Sequence, residues 1–276
     1  MKKLIVLGDY CSDTLVCQEI RASVEGSLKD PTGVRISFIH STPSTIHTAF
    51  LLNQLVITEE RYGVPSETVF FVNTDPRLEK NTEIKEAEGS KGVIMKLASG
   101  LYITGPNAGY CFAMIKDKIE ILYTYEPLVK GSQFRSRDNY PRVIAHLMDY
   151  LEQDLEMDTI DRANVPELRG YYVGHVDNYG NIKTTITKED LKGKYELGDL
   201  VKPRINGIQK DARYVDNLFG GAVGELVMYP GSSGPPENPF MEISAWSHFS
   251  NGPAGQVVKT GRDYFEGVQP GDPVLL

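Results

Sequence analysis

Met1-Lys2-Lys3-Leu4-Ile5-Val6-Leu7-Gly8-Asp9-Tyr10-Cys11-Ser12-Asp13 is an apolar run stopped by a glycine and followed at once by polar residues. Four consecutive apolar side chains, Leu4 to Leu7, suit a strand covered on both faces. Residues 14 to 28 then carry Leu15, Val16, Ile20 and Val24 at helical spacing, so the chain opens as strand, turn, helix. The texture repeats. Val34 to Ile39 reads as a second strand, Ser44 to Leu55 as a helix, Val69 to Asn73 as a third strand, and Val93 to Leu97 with Tyr102 to Thr104 as further strands. Pro141 to Met157 is the clearest helix, with the proline near its first turn and Val143, Ile144, Leu147, Met148 and Leu151 on one stripe. The alternation predicts an α/β fold whose N-terminal sheet is mostly parallel with flanking helices.

From Asp161 to Arg169 the pattern lapses into a polar stretch around Pro166, which suits a linker. Beyond it, short runs (Tyr171 to Val176, Ile182 to Ile186, Val223 to Met228, Phe240 to Trp246, Gln256 to Lys259) are separated by Gly, Pro and Asn turns. That predicts a C-terminal β-barrel or sandwich, with domains at 1–160 and 170–276.

The chain has 276 residues, 41% hydrophobic and 24% charged, which is enough to build two cores. A net charge of −8 without any basic run argues against nucleic acid or an anionic membrane as partner. The first apolar run is too short for a signal-peptide core or a membrane span. Cys11, Cys17 and Cys111 are odd in number and lack CxxC spacing, which disfavours a disulfide framework or a zinc site and fits a reducing cytoplasm. The five histidines form no HxH or HExxH set, so no metal is expected.

In open parallel sheets ligands sit at the carboxyl ends of strands, so the polar residues after each strand are the candidates. After the first strand, a carboxylate of Asp9 or Asp13 can take a ribose diol, or Ser12 or Asp13 can cap the next helix. No GxGxxG or GxxxxGK[ST] is present there. After the third, Asp75 before Pro76 can orient a water or steady a cation, or simply start a turn. Phe134-Arg135-Ser136-Arg137-Asp138 precedes the long helix, where Arg135 can meet an anion or pair with an aspartate. In Val176-Asp177-Asn178-Tyr179-Gly180-Asn181-Ile182-Lys183, the residues Asp177, Tyr179 and Asn181 alternate at strand spacing and can share a face. Such a trio suits a ligand with a cationic amine and a flat, hydrogen-bonding ring; the other reading is a hairpin with a surface carboxylate.

The order of these pieces carries a resemblance. The acidic turn, His40-Ser41, Val72 to Pro76, Thr104-Gly105-Pro106-Asn107-Ala108-Gly109, Phe134 to Asp138 and Val176 to Ile186 are collinear with the motifs TDFG, SH, VVDPGVG, GPDNG, FHGRD and VDRFGN. The chain resembles the S-adenosylmethionine hydrolase family (S-adenosyl-L-methionine hydroxide adenosyltransferases), relatives of the fluorinase and chlorinase enzymes. The resemblance implies an α/β domain joined to a β-barrel, a homotrimer with sites between domains of adjacent subunits, and S-adenosylmethionine as substrate without a cofactor. By the same resemblance, Asp9 or Asp13 would take the ribose hydroxyls, Asp177 the methionine amine, and Tyr179 and Asn181 the adenine. Gly231-Ser232-Ser233-Gly234 and Met241-Glu242-Ile243 look like later barrel motifs near the amino-acid end of the ligand.

The departures are specific. The family pairs the DPGVG aspartate with an arginine seven positions on and with the FHGRD histidine; here these are Asp75, Thr82 and Arg135, so only the aspartate is kept. Arg77 and Glu79 replace loop glycines. The expectation is hydrolase-type activity with Asp75 and Arg135 as catalytic residues. The alternatives are a binding module that has lost turnover, or the same displacement on another adenosyl compound.

Overall fold

The computed structural model describes residues 1–76, 90–128, 134–246 and 259–276. The chain divides into two compact units, Met1–Leu168 and Arg169–Leu276.

In the first unit, β1 (Lys2–Gly8), α1 (Thr14–Ser27), β2 (Val34–His40), α2 (Thr45–Tyr62) and β3 (Thr68–Asn73) alternate as the texture predicts. They are followed by β4 (Gly92–Leu97), β5 (Tyr102–Pro106), β6 (Ile119–Thr124), α3 (Arg135–Asp138), α4 (Tyr140–Met148) and β7 (Asp158–Ile160). The seven strands form one sheet in the order β2-β1-β3-β5-β4-β6-β7. The central strands carry unbroken apolar runs, Leu4 to Leu7 in β1 and Val69 to Val72 in β3, because helices cover both faces. Leu4 and Val6 of β1 pack with Ile20, Val24 and Ile144 on one side, and Ile5 and Leu7 with Leu52 and Val56 on the other.

The pairings among β2, β1, β3 and β5 are parallel, whereas β4 runs antiparallel to β5 and β6, and β6 to β7. The sheet is therefore mixed, half parallel and half antiparallel by pairing. Residues 98 to 101 between β4 and β5 are too few for a crossover, which needs about a dozen, so only a hairpin can form there. The long helix also ends earlier than its apolar stripe. It stops at Met148, and Tyr150 adopts a left-handed φ of 58° that no helix continues through, which leaves Leu151 outside it. Leu15, assigned to the stripe of α1, is 69% exposed; Ile20 and Val24 carry the buried face.

The second unit contains β8 (Tyr171–Val176), β9 (Ile182–Thr187), α5 (Lys188–Leu191), β10 (Leu200–Val201), β11 (Arg204–Ile205), β12 (Ile208–Gln209), β13 (Ala212–Tyr214), β14 (Leu226–Pro230), β15 (Phe240–Ala245), α6 (Gly261–Tyr264) and β16 (Pro273–Leu275). Its nine described strands form a curled sheet, a half-barrel, in the order β10-β13-β14-β15-β9-β8-β16-β11-β12. Val173, Ile182, Ile186, Met228, Met241, Ile243 and Phe265 fill its interior. The alternation in β9 puts Ile182, Thr184 and Ile186 inward and leaves Lys183 on the opposite face. Val223 is 55% exposed and precedes the strand expected to include it. Among the described residues no helix is long and apolar enough to cross a membrane.

Candidate functional site

The ends of β1, β2 and β3 lie side by side, with Gly8 paired to both His40 and Asn73. The polar residues after each strand therefore leave the sheet at one edge. Gly8 permits this close approach: a Cβ there would come within 2.6 Å of the Asn73 carbonyl oxygen.

Asp75 is held through both carboxylate oxygens. Its Oδ2 accepts from the Ser90 backbone N–H at 3.1 Å and its Oδ1 from the Ser90 hydroxyl at 3.1 Å. Arg135, the first residue of α3, brings Nη2 to 3.8 Å from Asp75 Oδ2. Its Nη1 donates to the carbonyls of Ser90 and Leu128 at 3.0 and 3.2 Å, so the guanidinium is fixed by backbone as well as by charge. Asn73 donates to the Ser136 hydroxyl, joining the end of β3 to α3. The two catalytic candidates, Asp75 and Arg135, are thus in contact.

Asp9 is half-buried beside them. Burial pushes its carboxyl above the ordinary range, opposed by its own and Tyr10's backbone N–H groups and by His40, while Asp75 adds a smaller upward push. Asp13 has a different environment. It is exposed and caps α1, its Oδ1 accepting from the N–H groups of Leu15 and Val16 at 2.9 and 3.4 Å. Cys111 is buried beneath this edge and donates to the Thr74 carbonyl at 3.3 Å. Burial first, then Asp75 and Asp9, push its thiol up to about 12, which makes it a poor nucleophile at neutral pH.

In the second unit, Asp177 follows β8 and organises the turn into β9. Its Oδ1 accepts from the N–H groups of Tyr179 and Asn181 at 2.9 and 3.0 Å, and its Oδ2 from the Asn181 side-chain amide at 3.0 Å. The three residues are not on one strand face as their spacing suggests, because Gly180 reverses the chain between them with a φ of +78°. Both ends of the Asn181 side-chain amide are engaged: its N–H donates to Asp177 within the turn and its Oδ1 accepts from the Ser244 hydroxyl on β15. Tyr179 stands at the apex and is 72% exposed.

Glu242 on β15 is the centre of a second polar cluster in this unit and is only 4% exposed. Its Oε1 accepts from Lys183 Nζ at 2.6 Å and from the N–H and hydroxyl of Ser232 at 2.9 and 3.2 Å. Its Oε2 accepts from the Tyr229 hydroxyl at 3.1 Å. Lys183 also donates to the Ser232 hydroxyl at 3.1 Å. Burial, followed by the charge of Lys183, lowers the basicity of His175, while Asp177 and Glu242 pull it back up, so the turn and the cluster share one field. Ser233 is buried next to Ser232, and its carbonyl accepts from the Phe240 N–H at 2.8 Å. Ser90, Lys183 and Tyr229 were not singled out by sequence. Lys183 carried a legible signal, a charged residue at an alternating position of a strand, but its partner is set by sheet register.

Thr82, Arg77 and Glu79, together with Ser132, Gln133 and the first part of the Gln256 to Lys259 run, lie outside the described residues.

No protein-family profile matches the chain. Two solved structures share its fold along nearly its whole length. An uncharacterized conserved protein from Thermotoga maritima aligns over 98% of each chain with a TM-score of 0.65 and 19% identity. A conserved hypothetical protein from Thermus thermophilus aligns over 99% of each chain with a TM-score of 0.66 and 17% identity. Among curated proteins, a relative from Methanocaldococcus jannaschii called (R)-S-adenosyl-L-methionine hydrolase is 31% identical over 140 residues, 47% of this chain and 51% of the relative. The match spans about half the length of that hydrolase.

Proposed function

We propose that this chain binds S-adenosylmethionine and hydrolyses it to adenosine and methionine. The observation that carries the reading is the contact among Asp75, Ser90 and Arg135, beside Asp9, where the parallel strands end. The similarity to a protein named as an S-adenosylmethionine hydrolase supports it.

In this reaction the oxygen of water bonds to the ribose C5′ carbon, and the C5′–S bond breaks with its electron pair going to sulfur. Methionine leaves as a neutral thioether from a sulfonium, so no acid is needed on the leaving group. The chain must instead hold a water in line and receive its proton. Asp75 is suited to that. Each of its oxygens accepts one bond from Ser90 and retains further lone-pair capacity, and Arg135 keeps the carboxylate oriented. Asp9 is the residue to take the ribose hydroxyls, because Asp13 is engaged in capping α1. In the second unit, Asp177 supplies charge for the amine, and Tyr179 a ring for the adenine to stack on. Ser232, Ser233 and Glu242 are assigned to the amino-acid end of the ligand.

The second reading, a binding protein without turnover, is favoured by Arg135 standing where the resembling hydrolases carry a histidine. Chromatography of the wild-type protein with S-adenosylmethionine separates the two: equal release of adenosine and methionine supports hydrolysis. Tight binding with no release above the spontaneous background refutes it and leaves the binder.

Binding itself is tested at Asp177. Asparagine keeps an oxygen for the two backbone donors of the turn while removing the charge and the bond that Oδ2 accepts from the Asn181 side-chain amide. Asp177→Asn is therefore expected to weaken binding by about 1.5–3 kcal/mol, the size of a charge-assisted hydrogen bond. Calorimetric titration measures this, and unchanged affinity would reduce Asp177 to a turn-former.

A further inference from the structure

Where β2 and β3 end, three hydroxyls meet with no solvent exposure: Ser41 after β2, Thr48 on α2 and Thr74, the residue before Asp75. Thr48 Oγ1 lies 2.8 Å from Thr74 Oγ1 and 3.0 Å from Ser41 Oγ, and Ser41 Oγ lies 3.0 Å from Thr74 Oγ1, so the three close a triangle. A hydroxyl has one proton, so Thr48 either completes the triangle or donates to the Ser44 carbonyl at 3.2 Å. The backbone attachments matter as much. The Ser41 N–H donates to the Gly8 carbonyl at 3.1 Å, one residue before Asp9, and Thr74 is one residue before Asp75, its carbonyl taken by Cys111.

Hydroxyls at these positions are costly unless all are bonded, since a buried unsatisfied donor or acceptor loses its hydration without return. Apolar residues of similar shape would fill the space equally well. What the triangle adds is direction: a closed set of hydrogen bonds admits one relative placement of the loop after β2, the helix α2 and the end of β3. Through Gly8 and Thr74 that placement fixes where the two carboxylates begin.

We propose that Ser41, Thr48 and Thr74 are positioning residues that set Asp75 relative to Asp9. This rests on the hydrolase reading only for its kinetic consequence. Misplacement of a reacting group by a fraction of an ångström to one ångström reduces rate steeply while leaving ligand contacts in place.

Thr48→Val removes the central hydroxyl at nearly constant volume. It is expected to lower kcat about tenfold with KM within about twofold of wild type, and Thr48→Ser, which restores the hydroxyl, is expected to recover most of the rate. A purely structural role would lower the melting temperature without changing kcat of the folded protein. If Thr48→Val does not fold, Ser41→Ala provides the same comparison. Full kcat in a folded variant lacking either hydroxyl overturns the proposal. If the wild-type protein has no turnover, the hydrolase reading fails by itself, and crystal structures then test the positioning. Loss of the Asp75–Ser90 hydrogen bonds in Thr48→Val supports it, and an unmoved Asp75 overturns it.

Discussion

Replacing Asp75 by asparagine is expected to slow adenosine release by about 100-fold or more, the usual consequence of losing a positioned acid–base group. The substitution preserves shape and one acceptor oxygen, so the Ser90 contacts can persist in part while the charge facing Arg135 disappears. Affinity for S-adenosylmethionine should change far less, because Asp75 acts on the water and not on the ribose or the adenine. Single-turnover kinetics alongside calorimetric titration would measure both quantities. A variant that binds and turns over like wild type would remove Asp75 from the mechanism. A variant that loses binding and rate together would make it a ligand contact.

Glu242→Ala should produce the largest loss of stability among the site residues, about 3–5 kcal/mol, the cost of breaking a buried pair by deleting one partner. Lys183, with its side chain 14% exposed, would keep only the Ser232 hydroxyl, while Tyr229 and the Ser232 N–H would lose their acceptor. Lys183→Met is expected to cost less, since Glu242 would still accept from Ser232 and Tyr229. Chemical denaturation of the two variants checks the order. Equal stabilities, or Glu242→Ala within about 1 kcal/mol of wild type, would mean that water reaches the cluster and replaces the lost carboxylate.

The parts of the fold visible in the sequence are those whose pattern is local. Leu4 to Leu7 and Val69 to Val72 are apolar at every position because both faces are covered, and the polar residues that follow each run mark the sheet edge. Asp9 and Asp75 could be read as site candidates for that reason alone. The antiparallel half was less legible. In β6 only Ile119 and Leu122 are fully buried among half-exposed neighbours, too short a pattern to stand out, and β7 has only three residues. The partners that give the site its geometry are remote in sequence. Ser90 lies 15 residues from Asp75, and Lys183 lies 59 from Glu242, so neither pairing exists until the strands are in register. At Asp177 the sequence leaves two readings, a shared strand face and a hairpin, because an acid, an aromatic and an amide at alternate positions look the same in both; the left-handed glycine decides for the hairpin.

The two bonds between Ser90 and Asp75 also tie off the stretch that joins them. The contact closes a span of 15 residues, and the entropic cost of such a closure grows only logarithmically with the span, by about 0.6 kcal/mol per doubling. A change at Ser90 is therefore felt at Asp75 although 15 residues separate the two in sequence.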